Sequence, residues 1–447
     1  MKHSAFEEPE VTGEGLIRAI GVRSLSLSII NMIIGAGIFV LPGLVAAVLG
    51  PAAILAYLLC SIAVALVFLC FAEAGSRVSR SGGAYAYIEE AFGPYAGFLA
   101  ATLLWFGWGA LANAAVAIAL ADMMGIAFPA LNTAFSKGVF IALLFGGLAW
   151  INIRGVRSGV RFAAINTYGK LIPLAVLVVF GAFFIQWDNV VISSMPSFSS
   201  LGAGTLLLVF AFGGAEIALN AGGEIKNPAR TVPLGLLIGI GVVFVLYMGI
   251  QGVAQGVLGP DLATSLEAPL VATAERAFGP WGKTFLLIGA GISIFGVTSG
   301  HILSNPRAVF AAARDGLLPS RLAAVHPVYK TPHMAITFYS VLACGFALSG
   351  SFKTLAVVSS GSVLLLYLGC SVAVLTLRKR KMGSTKGVFV IPFGPLIPVL
   401  SSLVVVWLLS NMTQEEASGL GLLLVVTSVL YVVQLTVMKR RKGAHNS

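Results

Sequence analysis

The sequence predicts an all-α membrane protein that crosses the bilayer twelve times. Three observations lead there. Of 447 residues, 58% are hydrophobic and 10% are charged, whereas a soluble domain carries roughly 25% charged residues. The apolar residues form continuous runs, not the polar–apolar alternation of a membrane β-barrel. The basic residues cluster in short groups between those runs. The first observation excludes a soluble enzyme, a disordered chain and a coiled coil; the second excludes a barrel.

A bilayer-crossing helix needs about 20 mostly apolar residues. Runs of that kind lie at roughly 24–48, 51–73, 95–123, 137–153, 165–186, 203–223, 233–257, 284–310, 333–349, 354–377, 394–411 and 418–438. With the N-terminus inside, 23 of the 28 Lys and Arg fall on inner connections and termini. Only Lys137, Arg276, Lys283 and Lys353 fall outside, and Lys170 lies within a run. Such asymmetry over every connection predicts an even number of spans in the cytoplasmic membrane, with both termini cytoplasmic.

The organisation expected is therefore a cytoplasmic segment at 1–23, helices 1–5 over 24–186, helices 6–10 over 203–377, two more helices over 394–438 and a basic cytoplasmic tail at 439–447. The outer connection 258–283 contains Gly259-Pro260, Pro269 and Gly279-Pro280 and is expected to hold a short interfacial helix, as is the inner connection 74–94. Glu7, Glu8, Glu10 and Glu14, with no apolar stretch among the first 23 residues, argue against a cleavable signal peptide. Cys60, Cys70, Cys344 and Cys370 all sit in apolar runs, with no metal-site or disulfide spacing. No cofactor or metal is implied. The net charge of +11 belongs to the inner clusters. No basic stretch is interleaved with aromatics on a soluble segment, so the bilayer, not nucleic acid, is the expected macroscopic partner.

Two runs are interrupted near their middles. The first reads Asn31-Met-Ile-Ile-Gly35-Ala36-Gly37-Ile38-Phe39-Val-Leu-Pro42-Gly43, the sixth Phe210-Ala211-Phe212-Gly213-Gly214-Ala215-Glu216. Glycines let a helix unwind, exposing N–H and C=O groups that lipid cannot satisfy. The half-helix N-terminus suits a carboxylate, and the C-terminal carbonyls of the other half suit an ammonium. Interrupted helices at corresponding positions of two halves are the strongest sequence pointer to a transporter site. Close helix packing through small residues is the competing reading.

At these residues the chain resembles the amino acid–polyamine–organocation superfamily, over roughly residues 20–440. The resemblance rests on Gly35-Ala36-Gly37-Ile38-Phe39 with Pro42-Gly43, Ala72-Glu73-Ala74-Gly75-Ser76-Arg77 with Ser81-Gly82-Gly83-Ala84-Tyr85, and Ile151-Asn152-Ile153-Arg154-Gly155-Val156. It continues in Gly223-Glu224-Ile225-Lys226-Asn227-Pro228 with Val232-Pro233, and in Ala313-Arg314-Asp315-Gly316-Leu317-Leu318-Pro319. It implies the LeuT-type fold: a 5+5 inverted repeat plus two accessory helices, with alternating access around a midplane site. It further implies that Gly35, Ala36 and Gly37 hold an amino-acid carboxylate, that carbonyls of Ile33, Phe210 and Gly213 in the segment containing Ala211 receive its ammonium, and that Phe210 caps it from outside.

Ionisable groups at membrane depth are costly and are candidates for function. Lys170 is one. The resemblance places it where a helix-5 lysine substitutes for a sodium ion in sodium-independent relatives; a lysine snorkelling to the interface is the alternative. Glu216, three residues after Gly213, is the second, as a proton relay or as a tie between the unwound segment and its neighbours. His301 on helix 8 and Asn113 on helix 3 match polar side-chain-pocket positions; a local interhelical hydrogen bond is the alternative for His301.

Together these features predict a secondary amino-acid transporter that is sodium-independent and works by proton symport or amino-acid exchange, with the amino acid and protons as small partners. Oligomeric state is not indicated. Polyamines or other organocations are alternative cargo. A membrane-embedded enzyme is the rival class, but no His-Glu-x-x-His or other intramembrane catalytic constellation is present, and neither is a Walker motif. No repeated pore loop points to a channel.

Overall fold

The computed structural model describes residues 18, 20–78, 82–155, 160–219, 224–314, 318–382 and 388–445, with the backbone alone at 160–165, 435 and 437–445. Ser81, Val156, Gly223 and 315–317 of the motifs above lie outside the described residues, as do Lys2, Arg80, Arg157, Lys386 and the N-terminal glutamates.

Each apolar run is helical. The first divides into α1 (Val22–Ile33) and α2 (Gly37–Leu49), and the second is α3 (Ala53–Arg77). Short α4 (Ala84–Phe92) precedes the third run, which starts as α5 (Pro94–Thr102), passes through a π-helical stretch at Leu103–Ala110 and continues as α6 (Leu111–Ala127). The fourth and fifth are α7 (Ala134–Ile153) and α8 (Val160–Gly181); the sixth divides into α9 (Phe198–Phe212) and α10 (Ala215–Ala218). Then follow α11 (Pro228–Leu258), short α12 (Pro269–Phe278), α13 (Pro280–Arg314), α14 (His333–Ser349), α15 (Phe352–Lys379), α16 (Leu396–Ser410) and α17 (Gln414–His445). The short helices expected in 74–94 and 258–283 are α4 and α12. Among the described residues, nine helical stretches are long and apolar enough to cross a membrane; α1, α14 and α16 are apolar but shorter.

Local chemistry explains the helix starts. Pro94, Pro228, Pro269 and Pro280 occupy first helical positions, where a missing N–H costs nothing. Thr133, Ser197 and Ser351 cap α7, α9 and α15 by accepting from the N–H groups of Ser136, Ser200 and Thr354. Burial separates the helices by role. The Phe198–Ala218 span is 83% buried, whereas those of α7 and α17 are 17% buried. The interrupted sixth run is therefore central, and α7 and α17 form the rim.

One end of the bundle is tied by a buried carboxylate. Glu73, near the end of α3, is fully buried and accepts from Arg77 Nε at 3.0 Å, from Arg378 Nε of α15 at 2.7 Å and from the Ile391 N–H at 2.9 Å. The chain entering α1 is fastened at the same end. Ile20 pairs with Ile225 in an isolated bridge, the one β-pairing among the described residues.

Candidate substrate site at two facing helix breaks

The glycine-rich interruptions are real breaks and they face each other. Helix α1 stops at Ile33, Ile34 is extended (φ −73°, ψ 93°), and helix resumes at Gly37. Helix α9 ends at Phe212. Gly213 is extended, and Gly214 has φ +123°, a conformation that favours glycine. A Cβ on Gly37 would stand 2.8 Å from Ala211 Cα, and one on Gly214 would stand 2.6 Å from the Met32 carbonyl oxygen. The start of α2 thus lies directly against the end of α9, and the start of α10 against the end of α1. Gly35 is less confined, since a Cβ there would meet Val297 Cγ2 at an ordinary 3.7 Å.

Three side chains from other helices reach the breaks. Lys170 of α8 is fully buried, and its Nζ donates to the carbonyls of Asn31 at 2.7 Å and Ile34 at 2.8 Å. The sequence boundary put Lys170 near the start of helix 5. Helix α8 instead begins at Val160, so Lys170 lies in its interior and turns inward; it does not snorkel. Glu216 of α10 is also fully buried. It accepts the Gly214 N–H at 3.0 Å and the Tyr367 hydroxyl of α15 at 2.9 Å. These bonds tie the second break to α15, the structural role weighed for this residue. Tyr247 of α11 reaches both breaks, its hydroxyl 3.3 Å from the Ile33 carbonyl and 3.1 Å from that of Ala211.

Phe210 packs edge-on against Trp108 of the π-helical stretch (centroids 5.9 Å apart) and against Phe352 of α15 (5.6 Å). A Cβ on Gly213 would run into Trp108 at 2.6 Å. This aromatic cluster closes the breaks on one side. On the other lies a cavity of about 90 Å³ lined by Asn31, Asn166, Lys170, His301 and Asn305. Ser304, Asn305 and Ile217 also line a neighbouring cavity of about 620 Å³, which extends to Tyr85 and Glu89 of α4 and Gln434 of α17. The breaks are therefore sealed on the Phe210 side and accessible from the α4 side.

Of the polar-pocket candidates, His301 belongs to a hydrogen-bonded network, whereas the Asn113 amide has no hydrogen-bond partner among the described residues. His301 Nδ1 lies 3.1 Å from Asn305 Nδ2; that amide donates to the Tyr339 hydroxyl of α14 at 2.8 Å, and the hydroxyl donates to the Gly109 carbonyl at 2.8 Å. Asn113 is fully buried near the same hydroxyl. His301 faces the cavity beside Lys170, whereas neither cavity is lined by Asn113. Sequence reasoning did not find Tyr247, Tyr367, Tyr339, Asn305 or Trp108. The pair Gly107 and Gly109, flanking Trp108, was the available signal of an irregular helix.

Facing helix breaks with carbonyls released from helical bonding, a buried cation on one of them and a cavity on one side fit a membrane transporter, not an enzyme. The chain belongs to the amino acid permease family, whose model matches residues 20–435. It is 32% identical to the serine/threonine exchanger SteT of Bacillus subtilis (strain 168), over 87% of this chain and 89% of that protein. It is similar as well to two other proteins of that organism. One is the methylthioribose transporter (29% identical, 89% of each chain), the other the branched-chain amino acid permease BcaP (27% identical, 92% of this chain and 93% of that one).

Proposed function

We propose that the protein is a sodium-independent secondary transporter of amino acids working by alternating access, with exchange favoured over proton symport. The observation that supports this most is the pair of bonds from Lys170 Nζ to the Asn31 and Ile34 carbonyls. A cation site at the end of a broken helix needs a positive charge against carbonyl oxygens, and here a covalently attached group fills it. Glu216 already accepts bonds from a backbone N–H and a tyrosine, which supports anchoring over proton carriage and so leaves exchange as the simpler cycle.

In this reading the N–H groups of Gly35, Ala36 and Gly37 take the carboxylate, as the positive end of α2 favours. The carbonyls of Ile33, Phe210, Ala211 and Gly213 take the ammonium. The twelve helical runs are twelve spans arranged as a 5+5 inverted repeat plus two, with both termini cytoplasmic. The polar lining at His301 and Asn305 and the similarity to a serine/threonine exchanger favour small polar amino acids as cargo. The test is radiolabelled uptake and counterflow in proteoliposomes, competed by all twenty amino acids, with and without sodium and pH gradients. Counterflow without either gradient supports exchange. Uptake that follows a sodium gradient overturns the reading.

A further inference from the structure

Away from the candidate site, the seam between α3 and α11 opens outward into an apolar groove of about 300 Å³. On α3 it is lined by Leu58, Ile62 and Leu69, on α11 by Pro233, Leu237 and Phe244. Leu58, Ile62 and Leu237 are 39%, 50% and 69% exposed, so the groove faces away from the protein core. Its α11 wall runs the twelve residues from Pro233 to Phe244, eleven rises or about 16 Å at 1.5 Å per residue. That matches one leaflet of hydrocarbon, about 15 Å. A Cβ at Gly241 in this wall would meet no atom within 4 Å, so the concavity is partly the missing side chain.

One end of the groove is basic. Arg230 stands three residues before Pro233 and seven before Leu237, which puts it on the same helix face. Arg230 and Lys226 are both exposed, and neither forms a salt bridge with a described residue. Glu224, also exposed, lies on the same connection. At the other helix, Arg77 is already held by Glu73, so it does not compete for a ligand. An apolar slot one leaflet deep that ends at two uncommitted cations matches a ligand with an acyl chain and a negatively charged head.

We propose that the α3–α11 groove is a binding site for an anionic phospholipid, with one acyl chain along Leu237 and Phe244 and the phosphate at Arg230 and Lys226. The site lies outside the substrate cavity, so the inference is independent of what is transported. A juxtamembrane basic residue strengthens binding of an anionic lipid about fivefold.

The test uses purified, delipidated full-length protein titrated with phosphatidylglycerol or phosphatidylcholine, read by native mass spectrometry and by the thermal unfolding midpoint. Phosphatidylglycerol should bind and raise the midpoint, and phosphatidylcholine should bind more weakly. Lys226→Gln with Arg230→Gln should cut phosphatidylglycerol affinity by more than tenfold and erase the preference. Gly241→Trp, whose Cβ would meet no atom within 4 Å and whose indole would occupy the slot, should weaken both lipids. The lipid-free midpoint of each variant, compared with wild type, separates lost binding from misfolding. Equal affinity for the two lipids in the wild type overturns the headgroup assignment, and unchanged binding by a folded Gly241→Trp variant overturns the groove. An amino-acid binding measurement on the same samples shows that the substrate site is intact, so failure here stays distinct from failure of the transport reading.

Discussion

The Nζ of Lys170 lies 2.8 Å from the carbonyl of Ile34, the residue at which α1 ceases to be helical. A side chain from α8 thus holds open a turn in α1, and the polar cost of unwinding is met inside the protein.

Replacing Lys170 with Met should remove both bonds and leave two carbonyls without a donor. Hydrogen bonds to charged groups are worth about 1.5–3 kcal/mol each, so initial transport should fall at least tenfold. Uptake by a variant that still reaches the membrane is the measurement. Wild-type rates would show that the first break does not depend on this lysine.

Replacing external sodium with choline should leave the initial rate of wild-type transport unaltered if, as proposed, Lys170 Nζ at the Asn31 and Ile34 carbonyls takes the place of a coupling ion. A steep sodium dependence would count against Lys170 in that role.

Gly37→Ala and Gly37→Val should both lose substrate affinity, since the added Cβ would stand 2.8 Å from Ala211 Cα and force α2 away from α9. Gly35→Ala should be far milder, because its Cβ meets Val297 at contact distance. Equal losses at both positions, measured by equilibrium binding, would contradict the facing-break geometry.

Asn113→Ala and His301→Ala should change the ranking of competing amino acids without abolishing transport of all equally, since His301 faces the cavity, the unpaired Asn113 amide lies beside the Tyr339 hydroxyl that anchors its network, and a hydrogen-bonding pocket discriminates through the partner it leaves unpaired. A lost bond at membrane depth costs about 1 kcal/mol. Tyr339→Phe, which breaks the link between Asn305 and Gly109, should shift the ranking in the same direction as His301→Ala. An unaltered ranking in all three, with only the maximum rate reduced, would make the network structural.

Glu73→Gln should destabilise the protein by about 3 kcal/mol, as expected when one partner of a buried ion pair is removed. Arg77 and Arg378 would then share a neutral acceptor. The thermal unfolding midpoint in detergent reports this, and an unchanged midpoint would show that the arginines find other partners.

The helical class and both breaks were legible because glycine pairs and apolar runs are local signals. Lys170 and Glu216 stood out because a charge in an apolar run needs a reason. The tyrosines did not. Tyr247 and Tyr367 look in sequence like packing aromatics, and their roles depend on carbonyl and carboxylate groups 214 and 151 residues away. The bond from Arg378 to Glu73 joins residues 305 apart, a pairing no local pattern encodes. The start of α8 lies earlier than the apolar run because Arg161 reads in sequence as a loop charge, although it lies within the helix.

A phenol hydroxyl carries a single hydrogen to donate. Tyr247 stands within reach of two carbonyls, Ile33 and Ala211, one from each break, and can serve only one at a time. Rotation about its C–O bond moves that hydrogen from one interrupted helix to the other with no backbone displacement. In the proposed site, an arriving ammonium that took one oxygen would decide which way the rotor points, so occupancy at one helix break would be felt at the other through the torsion of one bond.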